Sequence, residues 1–230
     1  MPDQPSESRE PINDHRSYMK TPTIECHGLD TPDRVCFYEQ DYYVLSNFSS
    51  FTLQWKGLRF DTSEAAYHWE KFPNNTEIRH AIRTAPSAHE AYQIAFRNRE
   101  DRRADWDDVK VEIMRDILYA KVEQHEYVKR KLLATGEREL VENSWRDDFW
   151  GWGPNRDGQN ELGKLWMDIR AWLVIEAMTP AQVEEYLVAN GYDMGVLRKK
   201  LAGIKAQFGP GVGSNADRAG GDAHGKSGLA

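Results

Sequence analysis

The sequence predicts an α+β domain that is mainly helical, carries a small β-hairpin or sheet, and is extended by a C-terminal helical hairpin and disordered tails. Two observations lead there. All eight tryptophans lie between Trp55 and Trp172, and because an indole carries a large burial payload, that span is the packed domain. Within it apolar residues recur mostly at helical spacing, while period-two alternation is confined to short runs near its start.

The elements follow in order. Residues 1–34 are polar and Pro-rich, without apolar periodicity, and read as a disordered arm. Val35-Cys36-Phe37-Tyr38 is a short strand. Phe51 to Trp55 alternates, Lys56-Gly57 turns the chain, and Leu58-Arg59-Phe60 returns it, which is a hairpin signal. Asp61 followed by Glu64 marks a helix start with Asp61 as N-cap. That helix should end near Phe72, because Pro73 disfavours helical geometry in the residue before it. Helices are expected at 76–84, 87–99 and 106–134, the last on the spacing of Trp106, Val109, Ile113 and Ile117, with Gly136 closing it. Leu162, Leu165, Trp166, Ile169, Trp172 and Leu173 form the stripe of a helix at 160–177. Thr179-Pro180 opens a helical hairpin, 180–190 and 194–205, split by Asn190-Gly191. The segments are therefore an arm (1–34), the domain (35–178), the hairpin (179–207) and a flexible Gly-rich tail (208–230).

Composition narrows the function. The chain has 230 residues and a formal net charge of −7. Such acidity argues against sequence-blind nucleic-acid binding, which rests on Lys and Arg neutralising phosphates. No apolar run approaches the roughly 18 residues of a membrane span, and the N-terminal residues lack a secretory pattern, so a cytoplasmic protein without a membrane partner is expected. The two cysteines, Cys26 and Cys36, have neither a disulfide-framework nor a zinc spacing. Cys26-His27 is at best half of a metal site, and no metal is expected.

Four segments bear polar groups where chemistry can occur. On the helix opened at Asp61, Glu64, Tyr67 and Lys71 are spaced i, i+3, i+7 and share one face, with Glu64 and Lys71 about 10 Å apart along the axis. A carboxylate and an amine so placed can converge on a small molecule for acid–base or Schiff-base chemistry. The same spacing also suits a capping glutamate and a solvated lysine favoured by the helix dipole. The loop from Asp148 to Asn160 holds three glycines and two tryptophans before a helix. It is either an anion or sugar cradle, with Trp150 or Trp152 stacking a ring and Asn160 capping the helix, or an ordinary connection. Ser46-Asn47-Phe48 sits in a loop between strand signals, where it either bonds its own backbone or lines a pocket mouth. Arg97, Arg99, Arg102 and Arg103 are interleaved with acids and read as a solvated helix end.

Together these segments resemble the YbiA/NADAR family of N-glycosidases. The family pattern starts with an aromatic strand and a Ser-Asn-Phe loop, seen as Phe37 and Ser46-Asn47-Phe48. It continues with Gly57, Phe60 and a Ser-Glu-x-x-Tyr-x-x-x-Lys helix, seen as Ser63, Glu64, Tyr67 and Lys71. A middle helix supplies Trp106, Lys110, Met114, Ala120-Lys121 and Gln124. The closing signature is seen as Asp148, Trp150-Gly151, Gly153, Gly158, Asn160, Leu162-Gly163, Met167 and Arg170. The resemblance covers roughly residues 36–173 in four ordered blocks, and it is the ordered set that is specific. Two departures bear on substrate choice: the proline usual after the Ser-Asn-Phe loop is absent at Ser50-Phe51, and Trp69 stands where small residues are usual.

The resemblance implies a hydrolase cleaving the C1–N bond between a phosphoribosyl or ADP-ribosyl group and an amino-substituted heterocycle. The substrate is then an early riboflavin-pathway ribosylamino-pyrimidine phosphate or ADP-ribosylated guanine, free or in nucleic acid. It implies Glu64 and Lys71 as catalytic residues. On that basis Asp148 is expected to orient water or a ribose hydroxyl, and Ser46, Asn47, Phe48, Tyr67, Trp106, Trp150, Gly151 and Asn160 are expected to bind substrate. No cofactor is implied, since an amine on an electron-poor ring departs with protonation alone. A non-catalytic ADP-ribose or nucleotide-binding module would use the same pocket without turnover, and the C-terminal hairpin could serve a protein partner that the sequence does not identify.

Overall fold

In the computed structural model, which describes residues 29–38, 40–179, 181–183 and 185, Arg34–Phe37 (β1) pairs in parallel with Glu139–Glu142 (β4). The register sets Val35 against Leu140 and Cys36 against Val141, all four buried. Sequence reading missed β4: four residues with a charge at each end show too little alternation to register as a strand. Residues 29–34, inside the segment expected to be an arm, form a turn in which Asp30 Oδ1 accepts the Cys36 N–H at 2.6 Å, and Leu29 packs on Cys36, Val141 and Trp152. The rest of the expected arm, including Cys26-His27, and most of the expected C-terminal hairpin and tail lie outside the described residues.

Nearly everything between β1 and β4 is one long crossover. A 3-10 turn at Gln40–Leu45 leads into the antiparallel hairpin Leu53–Trp55 (β2) and Leu58–Phe60 (β3). Lys56 and Gly57 both have positive φ, 49° and 77°, as a two-residue turn matching the strand twist requires. Ser63–Glu70 (α1) follows, then Thr76–Arg83 (α2), Ala88–Arg97 (α3), a 3-10 turn at Arg99–Asp101, Trp106–Gln124 (α4) and Glu126–Leu133 (α5). After β4, a loop enters Glu161–Glu176 (α6). The chain divides into two compact units, residues 1–171 and 172–230, and the site described below lies in the first.

Three local expectations change. Thr62, not Asp61, caps α1: its hydroxyl accepts the Ala65 N–H at 3.1 Å. The helix expected at 106–134 breaks at His125 (φ −134°, ψ 96°). Tertiary bonds hold the break, since the His125 ring sits 2.5 Å from the Thr52 carbonyl and the Gln124 amide bonds both the N–H and the C=O of Gln54. The Asn160 side chain does not cap α6. It bonds the main chain of β4 instead, accepting from Glu142 N at 3.0 Å and donating to the Leu140 carbonyl at 2.9 Å.

The core of this unit gathers Phe37, Leu45, Phe60, Ile117, Leu118 and Trp166, all essentially inaccessible. The Trp166 indole N–H donates to the Leu45 carbonyl at 2.8 Å, pinning α6 to the loop that carries Ser46 and Asn47. Trp69 is buried, edge-on to Phe60 at 5.6 Å and covered by the Arg79 guanidinium. Among the described residues no helix is long and apolar enough to cross a membrane.

Candidate active site

The site grows from α1, all eight residues of which are buried. Helical spacing brings Glu64, Tyr67, His68 and Lys71 to neighbouring positions, with Lys71 at the C-cap. Glu64 does not form a capping box. Its backbone N–H donates to the Asn47 carbonyl at 3.1 Å, and its carboxylate takes the His68 Nε2 hydrogen bond at 2.7 Å. Burial lowers the His68 pKa below the ordinary histidine value, against the opposing pull of Glu64. Because Nε2 faces a carboxylate, which only accepts, the neutral ring that burial favours carries its proton on Nε2 and leaves a lone pair on Nδ1. That Nδ1 is buried and unpartnered, as is the side-chain oxygen of Asn47, whose main-chain carbonyl takes the Glu64 N–H. Two buried acceptors without donors, on the two residues that bond Glu64, suit a ligand that brings N–H or O–H groups.

Lys71 is half-buried, its Nζ 5.0 Å from the Tyr67 ring centre and 5.3 Å from that of Trp106. Burial brings its pKa down to about 8, with Glu64 pulling it upward and Arg102 and Lys110 pushing it down. At pH 7 about a tenth of the amine is therefore neutral and nucleophilic. Tyr67 is packed between Trp106 at 4.9 Å and the edge of Trp150 at 5.6 Å, and burial raises its hydroxyl pKa. Phe149 meets Trp150 at a right angle, 5.0 Å away, and Lys110 lies over its ring at 4.0 Å. One carboxylate, one amine and an aromatic wall thus come together.

The loop from Asp147 to Asn160 is held by its own backbone. Asp147 Oδ1 accepts from Phe149 N at 2.9 Å and Trp150 N at 2.7 Å, which aims the indole at Tyr67. Asp148 is exposed, and its carbonyl rather than its carboxylate serves the loop, accepting from Gln159 N at 2.6 Å. A Cβ on Gly151 would lie 2.8 Å from the Glu142 carbonyl oxygen, and one on Gly158 would lie 2.6 Å from the Asp148 carbonyl oxygen, so both positions admit only glycine without movement. Trp152 faces away, its indole N–H on Asn143.

The loop holding Asn47 is fixed by a fully buried lysine. Lys121 Nζ donates to the Ser46 carbonyl at 2.9 Å and the Ser49 hydroxyl at 2.8 Å. Ser46 Oγ accepts the Phe48 N–H, and the Phe48 side chain is exposed. Of the residues singled out in the sequence, Glu64, Tyr67, Lys71, Trp106, Trp150 and Asn47 come together. Ser46, Gly151 and Asn160 support them, while Phe48 and Asp148 point to solvent. Sequence reading missed His68, although its i+4 spacing from Glu64 was visible. It also missed Asp147 and half-buried Glu142. Burial, with Asp147 and Glu64 as like charges, pushes the Glu142 carboxyl up to about 8.

Residues 36–174 match the NADAR domain family. The N-glycosidase YbiA of Escherichia coli is 36% identical over 136 residues, covering 59% of this chain and 84% of that protein. The N-glycosidase of Nostoc punctiforme is 36% identical over 140 residues, 59% of this chain and 90% of that one. A riboflavin biosynthesis protein of Vibrio vulnificus is 35% identical over 156 residues, and this chain spans only 42% of its length. The NMR structure of E. coli YbiA superposes with a TM-score of 0.58 at 34% identity, covering 64% of this chain and 89% of that one.

Proposed function

Because the chain belongs to the NADAR domain family, we propose that it is an N-glycosidase cleaving the C1–N bond between a phosphoribosyl or ADP-ribosyl group and an amino-substituted heterocycle. The observation that carries this reading is the placement of buried Glu64 and half-buried Lys71 on one face of α1, against the aromatic wall of Tyr67, Trp106 and Trp150. The names of the E. coli and Nostoc relatives point the same way.

The heterocycle stacks on the wall and the ribose lies along α1. As the C1–N bond breaks, the leaving nitrogen takes the electron pair and positive charge develops at C1; the proton that nitrogen finally carries is the one the attacking water gives up. The Glu64 carboxylate stabilises that charge or accepts a proton from the attacking water, whose oxygen then bonds C1. His68 donates to Glu64 and holds it in place. In the ring-opened sugar the neutral Lys71 amine can add to the C1 aldehyde, losing water to give an imine that water later hydrolyses. Water orientation by Asp148 rests on the motif alone, and the exposed side chain lends it no support.

The test is release of free heterocycle from two substrates side by side, a phosphoribosylamino-pyrimidine and an oligonucleotide bearing ADP-ribosylated guanine. Release from the first assigns clearance of a riboflavin intermediate, and release from the second assigns removal of a nucleic-acid modification. Nucleotide binding with release from neither would favour the non-catalytic binding module instead.

A further inference from the structure

At the Lys71 end of α1, opposite Glu64, a cavity of about 220 Å³ opens between the end of α1, α3 and the 3-10 turn at Arg99–Asp101. Its polar and aromatic lining is His68, Lys71, Tyr92, Phe96, Arg99 and Arg102, completed by Phe72 and Ala95. Three cations and three aromatic rings face it, and no carboxylate among the described residues does. The volume is below the roughly 300–1,000 Å³ of a whole small-molecule site, so it suits one part of a ligand. α1 and α3 turn their C-terminal ends toward it, a polarity that disfavours anions. The cations reverse that local field. They are also available: Arg102 pairs with exposed Asp107 at 3.1 Å and Arg99 with exposed Glu100 at 3.4 Å, surface pairs that exchange readily for a better anion. Lys71 and His68 belong both to this cavity and to the Glu64 site, so a ligand lying along α1 reaches both.

We infer that this cavity is a phosphate subsite: Arg99 and Arg102 bind the phosphate of a ribosyl phosphate whose C1 lies at Glu64, and Tyr92 and Phe96 wall its outer side. The inference rests on the proposed N-glycosidase reading for the ribosyl part of the ligand, and it moves phosphate recognition from the Gly-rich loop to the far end of α1. Phe96 and Tyr92 stack at 6.1 Å with rings 20° apart and are both exposed, so the outer wall also admits a second ring attached beyond the phosphate.

Calorimetric titration of the full chain with ribose 5-phosphate, ribose and adenosine monophosphate tests this. Ribose 5-phosphate should bind much more tightly than ribose. The double substitution Arg99→Ala/Arg102→Ala should weaken ribose 5-phosphate by about tenfold or more and leave ribose unchanged, as loss of charged hydrogen bonds requires. Arg97→Ala, which removes a neighbouring surface charge that pairs with Glu90 and does not line the cavity, should change neither, and Arg102→Lys should restore part of the loss. Adenosine monophosphate binding that falls in the same double variant identifies a nucleotide as the phosphate source. Ribose 5-phosphate binding alone identifies the substrate's own 5′-phosphate. Equal affinity for ribose and ribose 5-phosphate, or phosphate-dependent binding that survives the double substitution in a chain with wild-type melting temperature, overturns the inference. Hydrolysis without this selectivity refutes the subsite alone, whereas selective binding without hydrolysis of any candidate refutes the N-glycosidase reading alone.

Discussion

The native chain should gain stability as pH rises above 7, and replacing Lys121 with methionine should flatten that rise. Lys121 is fully buried, its hydrogen bonds go to a carbonyl and a hydroxyl, and burial alone brings its pKa from 10.5 to about 7. The unfolded chain therefore binds this proton more strongly than the folded one, and stability rises with pH across the window between about 7 and 10.5. Integrated from pH 7 to pH 9, those two values yield about 2 kcal/mol of added stability from this residue. The methionine variant forfeits two hydrogen bonds, a loss that does not depend on pH, and it should lack the slope. Urea unfolding of both proteins at pH 7, 8 and 9 reads the difference directly, because every other titrating group cancels in the comparison. A gap between the two proteins that stays constant from pH 7 to 9 refutes the reasoning, since it would mean that Lys121 stays protonated in the folded state over this range, as it does in the unfolded chain.

Other outcomes follow from the same geometry. Gly158→Ala places a Cβ against two backbone carbonyl oxygens and should cost about 1–3 kcal/mol, seen as a lower melting temperature. Asn160→Ala removes both side-chain bonds to β4 from a residue with φ of 52°, and should destabilise by about 2–3 kcal/mol in urea unfolding. Borohydride trapping of a substrate adduct at Lys71 should rise with pH through about 8, because only the neutral amine adds to a carbonyl, and Lys71→Arg should abolish it.

Much of this arrangement was legible in the sequence where local rules govern it. The Lys56-Gly57 hairpin, the helices over 76–84 and 87–99, and the shared face of Glu64, Tyr67 and Lys71 follow from turn chemistry and helical period. What was not legible depends on partners distant in sequence. The break at His125 is made by the Thr52 carbonyl and the Gln54 main chain, and no periodicity signals it. Asn160 stands where an N-cap belongs, but β4, invisible as a strand, takes its side chain. Of two adjacent aspartates, Asp148 was singled out, whereas Asp147 turns inward to hold the Trp150 N–H. Only the folded loop tells them apart.

The central claim is that Glu64 carries the hydrolysis. It is tested most directly by kcat/KM of Glu64→Gln on whichever substrate the native protein cleaves. Glutamine keeps the shape and an oxygen for the His68 bond, while removing the charge and the basicity. A loss of about 10²–10⁴ with folding intact is the predicted result. Turnover within a few-fold of the native rate would contradict it and move the chemistry off α1.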